Sequence, residues 1–189
     1  MAMHSLVAAL ALMAAPFWET RTPREWTMEE LKALLNDSPW ARTDGTQVYL
    51  ATAEPMRLAE AEWSRRAPAK DRPEDPLAQD YRDFLKENEG KVIVLAALLP
   101  RPDALMNAAD ARKVEEKCVL KVGKKKYNIT GHFPPSISDP FLRLVFPRSA
   151  VTAADKEFTF ELFLPSVPNS YRLVYFTVKE LYYKGRLEM

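Results

Sequence analysis

The last third of the chain reads FLRLVFPR from Phe141 to Arg148, EFTFELFLP from Glu157 to Pro165, YRLVYFTV from Tyr171 to Val178 and KELYYKGRLEM from Lys179 to Met189. Leu142, Leu144 and Phe146 alternate with their neighbours, and so do Phe158, Phe160, Leu162 and Leu164. Successive side chains of a strand point to opposite faces, so each set buries one face. Pro147 and Pro165 stop these runs, because proline has no amide to give to a ladder. Tyr171–Val178 is apolar on both faces, the composition of a strand interior to its sheet. Leu181, Tyr183, Gly185, Leu187 and Met189 share one parity and carry the pattern to the last residue. Short alternating strands separated by Pro, Asn and Ser predict an antiparallel sheet or a β-sandwich.

These strands need partners upstream. Lys91–Leu99 (KVIVLAALL) is continuously apolar and bounded by Gly90 and Pro100, which predicts a strand buried on both faces at the centre of a sheet. Cys118–Thr130 (CVLKVGKKKYNIT) reads as a hairpin turning at Gly123-Lys124, with glycine supplying a positive φ. That register pairs Val122 with Lys125, Leu120 with Tyr127 and Cys118 with Ile129, and gathers the apolar residues on one face. The late strands therefore complete a sheet system begun earlier. A proline-rich linker, His132–Asp139, joins the two parts.

The first half is helical. Thr27 and Glu30 form a capping box, and Trp26 and Leu31 a hydrophobic staple, so a helix starts at Thr27. Leu31, Leu34 and Leu35 supply its buried stripe and Asn36–Pro39 stops it. Trp26 and Trp40 read as core anchors, with stacking on a sugar as the alternative. Thr46–Ala53 has strand propensity, and Glu54-Pro55 opens a helix with Met56, Ala59 and Trp63 on its apolar side. Arg65–Pro76 (RRAPAKDRPEDP) is a charged surface loop. Asp75-Pro76 caps a further helix whose Leu77, Tyr81, Phe84 and Leu85 share one face, and Asp103 caps another running to about Glu116. Helices early and strands late define an α+β fold: one domain from 19 to 189, strand-rich from 118.

Residues 1–18 read as a leader. Ser5–Phe17 (SLVAALALMAAPF) is apolar, shorter than the ~20 residues a membrane-spanning helix needs, and holds small residues, Ala9-Leu10-Ala11 or Ala14-Ala15, suited to cleavage. Its n-region lacks Lys and Arg. An uncleaved apolar arm is the other reading. The sequence thus predicts an exported, periplasmic or envelope-associated protein with no transmembrane span in the mature chain.

Composition narrows the function classes. The 27 basic and 26 acidic residues leave a net charge of +1, so no global field draws the chain to nucleic acid. One cysteine, Cys118, excludes an internal disulfide framework and any CxxC site. Fifteen prolines against five glycines point to stiff connections, and the phosphate-cradling glycine loops are absent. Cys118 with His132 is the one thiol–imidazole pair outside the leader, yet no third group orients it, and a strand cysteine is ordinarily an inert small hydrophobe. No metal-ligand spacing appears, so neither cofactor nor catalytic residue is assigned. Lys121, Lys124, Lys125 and Lys126, with Lys117 nearby, form the sharpest charge feature. They read either as a small anion-binding patch or as a solvated hairpin tip that discourages aggregation. Arg148 faces a ligand or pairs with Asp155 across a short loop, the pairing being the favoured expectation.

Several stretches resemble an uncharacterised family of short exported proteins of acidobacterial-type soil bacteria. They are WTMEELKALLNDSPW (Trp26–Trp40), QVYLATAEPMRLA (Gln47–Ala59), LVFPR (Leu144–Arg148), DKEFTF (Asp155–Phe160) and VKELYYKGRLE (Val178–Glu188). The resemblance implies a signal peptide and carries no site residues. The expected role is non-enzymatic binding or structure in the cell envelope, with an envelope protein or a small molecule as partner. The alternative is a hydrolase with a dispersed carboxylate site drawing on residues such as Asp155 or Glu180.

Overall fold

The computed structural model describes residues 15–67, 75–105, 107–136 and 138–189. The helices are α1 (Phe17–Thr20), α2 (Met28–Asn36), α3 (Glu54–Arg66), α4 (Pro76–Glu87) and α5 (Ala108–Lys117). The early strands are β1 (Ala41–Thr43), β2 (Gln47–Leu50), β3 (Val92–Leu98), β4 (Val119–Val122), β5 (Lys125–Asn128) and β6 (Gly131–Phe133). The late ones are β7 (Phe141–Pro147), β8 (Glu157–Phe163), β9 (Tyr171–Thr177), β10 (Tyr182–Tyr183) and β11 (Arg186–Leu187). The fold is α+β, with helices in the first half and antiparallel sheets in the second.

The strands form a five-stranded sheet, β1-β2-β3-β7-β6, a four-stranded sheet, β5-β4-β8-β9, and the small β10–β11 hairpin. As expected, β3 lies at the centre of its sheet, paired with β2 at Val48↔Ala97 and with β7 along its whole length. The early and late strands interleave: β7 joins β2 and β3, while β8 and β9 join β4 and β5. The hairpin register is the expected one, Val122↔Lys125 and Leu120↔Tyr127, with Gly123 at φ +57°.

Alternation sorts the side chains into layers. Leu142, Leu144 and Phe146 of β7 turn toward the second sheet, where Phe146 meets Phe160 with ring centroids 5.0 Å apart. Phe158, Phe160 and Phe176 fill the same space, Phe158 stacked on Phe176 at 5.6 Å. The other face of the first sheet meets helices: Phe133 of β6 packs on Tyr81 and Phe84 of α4, at 5.2 and 5.1 Å. The order of layers is therefore α3 and α4, first sheet, second sheet, with α5 packed against β8 of the second sheet.

The capping box at Thr27 is present, with Glu30 N donating to Thr27 Oγ1 and Thr27 N donating to the Glu30 carboxylate. Trp26, Leu31, Leu34 and Trp40 are fully buried, as core anchors. Trp40 Nε1 donates to the Glu188 carbonyl at 3.0 Å, and its ring meets Trp18 and Tyr183 edge-on, which ties the end of the chain to its beginning. Phe17 and Trp18 join this aromatic cluster, Phe17 lying 5.8 Å from Trp26. The expected leader boundary at 18 thus falls inside the cluster, while residues 1–14 lie outside the described residues.

Some expectations are corrected. The Thr46–Ala53 strand is shorter, ending at Leu50 where a turn leads into α3. The helix expected from Asp103 is a 3-10 turn at Pro102–Leu105, and α5 begins later, capped by Asn107 accepting from Ala109 N at 2.9 Å. His132 and Phe133 are not in a linker but pair with Leu144 and Arg143 as β6. The residues after Val178 form a 3-10 turn and the β10–β11 hairpin, turned by Lys184 and Gly185 at positive φ, rather than one strand. Most of the charged loop expected at Arg65–Pro76 lies outside the described residues, and Leu77 is exposed.

On α3 the buried stripe runs through Pro55, Ala59 and Glu62, at i, i+4 and i+7, and leaves Trp63 37% exposed. Glu62 accepts hydrogen bonds from Arg65 and Arg66 at 2.6–2.8 Å, and the Arg65 bond leads in lowering its pKa from 4.5 to about 2. A carboxylate depressed on folding adds stability above its unfolded pKa that is lost as pH falls toward the folded value. Urea unfolding of Glu62→Gln at pH 5 and pH 3 should therefore show a smaller acid loss than the parent chain. Equal losses in the two proteins would refute this assignment.

Candidate binding surface

β9 is an edge strand bonded only to β8, not the interior strand its composition predicts. Its inner parity, Val174 and Phe176, is buried; its outer parity leaves Tyr171, Leu173 and Tyr175 exposed by 65%, 56% and 54%. Exposed side chains of this size in one row are uncommon away from contact surfaces. The ladder phase makes the row double-featured. Leu164 N bonds Ser170 O and Val178 N bonds Lys156 O, one at each end of the β8–β9 ladder. Antiparallel pairs alternate between bonded and non-bonded, so Arg172, Val174 and Phe176 exchange bonds with β8. Tyr171, Leu173 and Tyr175 therefore point their N–H and C=O groups outward from the sheet. The same three residues present both apolar side chains and free backbone.

A groove of about 520 Å³ runs along this edge, walled by Arg42, Asp44, Thr46 and Val48 from the β1–β2 hairpin. Two guanidinium groups are fixed in it by backbone carbonyls. Arg42 donates to Ser38 O and Ala41 O at 2.6 and 2.8 Å, lies 4.9 Å over the Phe176 ring, and reaches Glu180 at 4.0 Å. Arg172 donates to Asp44 O and to Pro168 O, while its buried Nε has no hydrogen-bond partner. Gly45 sits in this turn at φ +70°, where a Cβ would lie 2.7 Å from Arg172 Nη2. Glycine is needed here for the backbone conformation, while the close approach meets only the end of the Arg172 side chain.

The lysine cluster borders the far side of the same face. Lys121 and Lys126 both bond Glu161, at 3.0 and 3.3 Å, and the Lys121 bond holds that carboxyl below its ordinary range. Lys124 and Lys125 stand exposed at the hairpin tip. Arg148 is not with them. It donates to Val151 O at 2.8 Å and to Leu187 O at 3.5 Å, and burial lowers its pKa. The expected Arg148–Asp155 pairing is absent because Asp155 caps its own turn, accepting from Thr152 N and Oγ1 at 2.7 and 2.8 Å. Cys118 and His132 are separated as well. Cys118 bonds the Phe163 backbone beside the second sheet, with burial pushing its thiol up to about 11, whereas His132 lies in the first sheet.

One cluster of polar side chains escaped sequence reading. Arg143, on the helix-facing parity of β7, is only 7% exposed. Its Nε donates to Asp139 at 2.9 Å, Nη2 to Glu60 at 3.0 Å and Nη1 to the Tyr81 hydroxyl at 3.3 Å. The Tyr49 hydroxyl donates to the same Glu60, and burial pushes both tyrosines up. Burial opposes the charge on Arg143, yet Glu60 and the other facing groups raise its pKa further. The signal available was a lone arginine inside a strand whose neighbours are all apolar. Every polar group is spent on holding α3, α4 and β7 together.

Among the described residues no group of three or more His, Cys, Asp or Glu side chains is placed to hold a metal, and no helix is long and apolar enough to cross a membrane. No protein-family model, curated protein or solved structure matches the chain.

Removing one partner of a buried charge cluster leaves the others uncompensated, at about 3–5 kcal/mol. Arg143→Met should lose that much in denaturant unfolding, and adding Glu60→Gln with Asp139→Asn should recover part of it. A loss below about 1 kcal/mol for the single variant would show that the cluster does not hold the layers.

Proposed function

We propose that this chain is an exported, non-enzymatic protein of the cell envelope that acts by contact, through the outer face of its second sheet and the free edge of β9. The observation that carries this reading is the row Tyr171, Leu173 and Tyr175, exposed in line along an unpaired strand. Strand edges and exposed aromatic rows are the features by which sheets recruit another polypeptide. The carboxylates considered for hydrolysis are otherwise engaged: Asp155 in its turn and Glu180 beside Arg42. The apolar Ser5–Phe17 stretch and the resemblance to a family of exported proteins support the location.

Export is tested by fractionating cells that express the chain and measuring the N-terminal mass of the product. A product kept in the cytoplasm with its first residues attached overturns the location. The contact surface is tested by a photo-crosslinking residue at Tyr175, with exposed Lys86 on α4 as control. Adducts at 175 and none at 86 are expected; no adduct at 175 overturns the contact reading.

A further inference from the structure

We infer that the partner at the β9 edge is a second copy of this chain, joined by antiparallel β9–β9 pairing centred on Leu173. The inference rests on the contact surface proposed above and names its occupant.

The sheet edges are guarded unequally. Natural sheets blunt their edges with short strands, lysines, prolines or bulges. In the described structure β1 and β6 are three residues long, β6 opens with Gly131, and β5 carries Lys125 and Lys126. β9 alone is long and bare: seven residues, YRLVYFT, with no proline and no lysine. Its one charge, Arg172, is turned inward and held by the Asp44 and Pro168 carbonyls. Such a strand has the composition of one that is paired on both sides.

The β9 edge is also self-complementary. About a two-fold axis at Leu173, Tyr171 of one copy lies opposite Tyr175 of the other, and Arg172 opposite Val174. Aromatic cross-strand pairs form twice and no like charges face each other. Because Tyr171, Leu173 and Tyr175 carry the outward backbone groups, this register makes three bonded pairs, about six hydrogen bonds. Such an interface is isologous and closed, so pairing stops at two copies.

A stable dimer buries about 1,200–2,000 Å² in total. Edge pairing leaves these six side chains upright on the outer face and buries only their facing flanks, so the backbone edges and the two groove walls supply most of that area.

Light scattering of the purified full chain at about 100 μM should give twice the mass of one copy, well above the dissociation constants of specific dimers. Leu173→Lys, which places two ammonium groups opposite each other at the axis, should raise the dissociation constant at least about tenfold while leaving the unfolding midpoint of the monomer unchanged. Register is read by cysteine variants, since Cys118 is buried. Bonded pairs have Cα atoms about 5.5 Å apart, within disulfide reach. Leu173→Cys should oxidise to a covalent dimer. Tyr171→Cys should not, but should cross-link when mixed with Tyr175→Cys. A chain monomeric at this concentration overturns the inference, as does a dimer indifferent to Leu173→Lys. A photo-crosslink from 175 to a different protein alone would overturn the dimer and leave the contact surface standing. No crosslink at all would remove both.

Discussion

The structure depends on β7 being buried on two faces by two unlike means. Toward the second sheet it offers Leu142, Leu144 and Phe146, and the Phe146–Phe160 contact sets the sheets face to face. Toward the helices it offers Arg143, which bonds Glu60 of α3, Tyr81 of α4 and Asp139 of the preceding loop at once. Apolar packing is non-directional, whereas three charge-assisted bonds from one planar group specify where each partner must sit. The guanidinium thus orients two helices that propensity and burial would leave free to slide. With both faces of the first sheet spent in this way, and α5 packed against β8, the second sheet keeps an open row along β9. The candidate surface follows from the layer order.

The fold was legible where a local pattern and its tertiary role agreed. The Thr27–Glu30 capping box, the central position of β3 and the Gly123 hairpin register each rest on short-range chemistry, and each is present as expected. The Arg143 cluster was not legible because its members come from positions 49, 60, 81, 139 and 143, and only the fold brings them together. Arg148 was misassigned for a related reason: sequence proximity suggested Asp155, but the Thr152–Asp155 turn satisfies that carboxylate first through Thr152. Local side-chain to backbone bonds outcompete a longer ion pair because less chain must be ordered to make them.

The outer face of the second sheet marks the boundary of what periodicity can say. Alternation places Tyr171, Leu173 and Tyr175 on one side correctly, but it cannot tell whether that side is covered, because the cover is a property of other segments. Apolar residues on both parities ordinarily mean a strand with neighbours left and right. In this chain the neighbour on one side is β8 and on the other a groove walled by Arg42 and Asp44. A bare edge of seven residues invites unregulated pairing in a sheet that has no other means of closing it. Lysines guard the opposite edge of the same sheet, at β5, so the contrast lies within one sheet of one chain. A self-complementary register turns that liability into a finite assembly, since a two-fold contact consumes each edge once and leaves none to propagate.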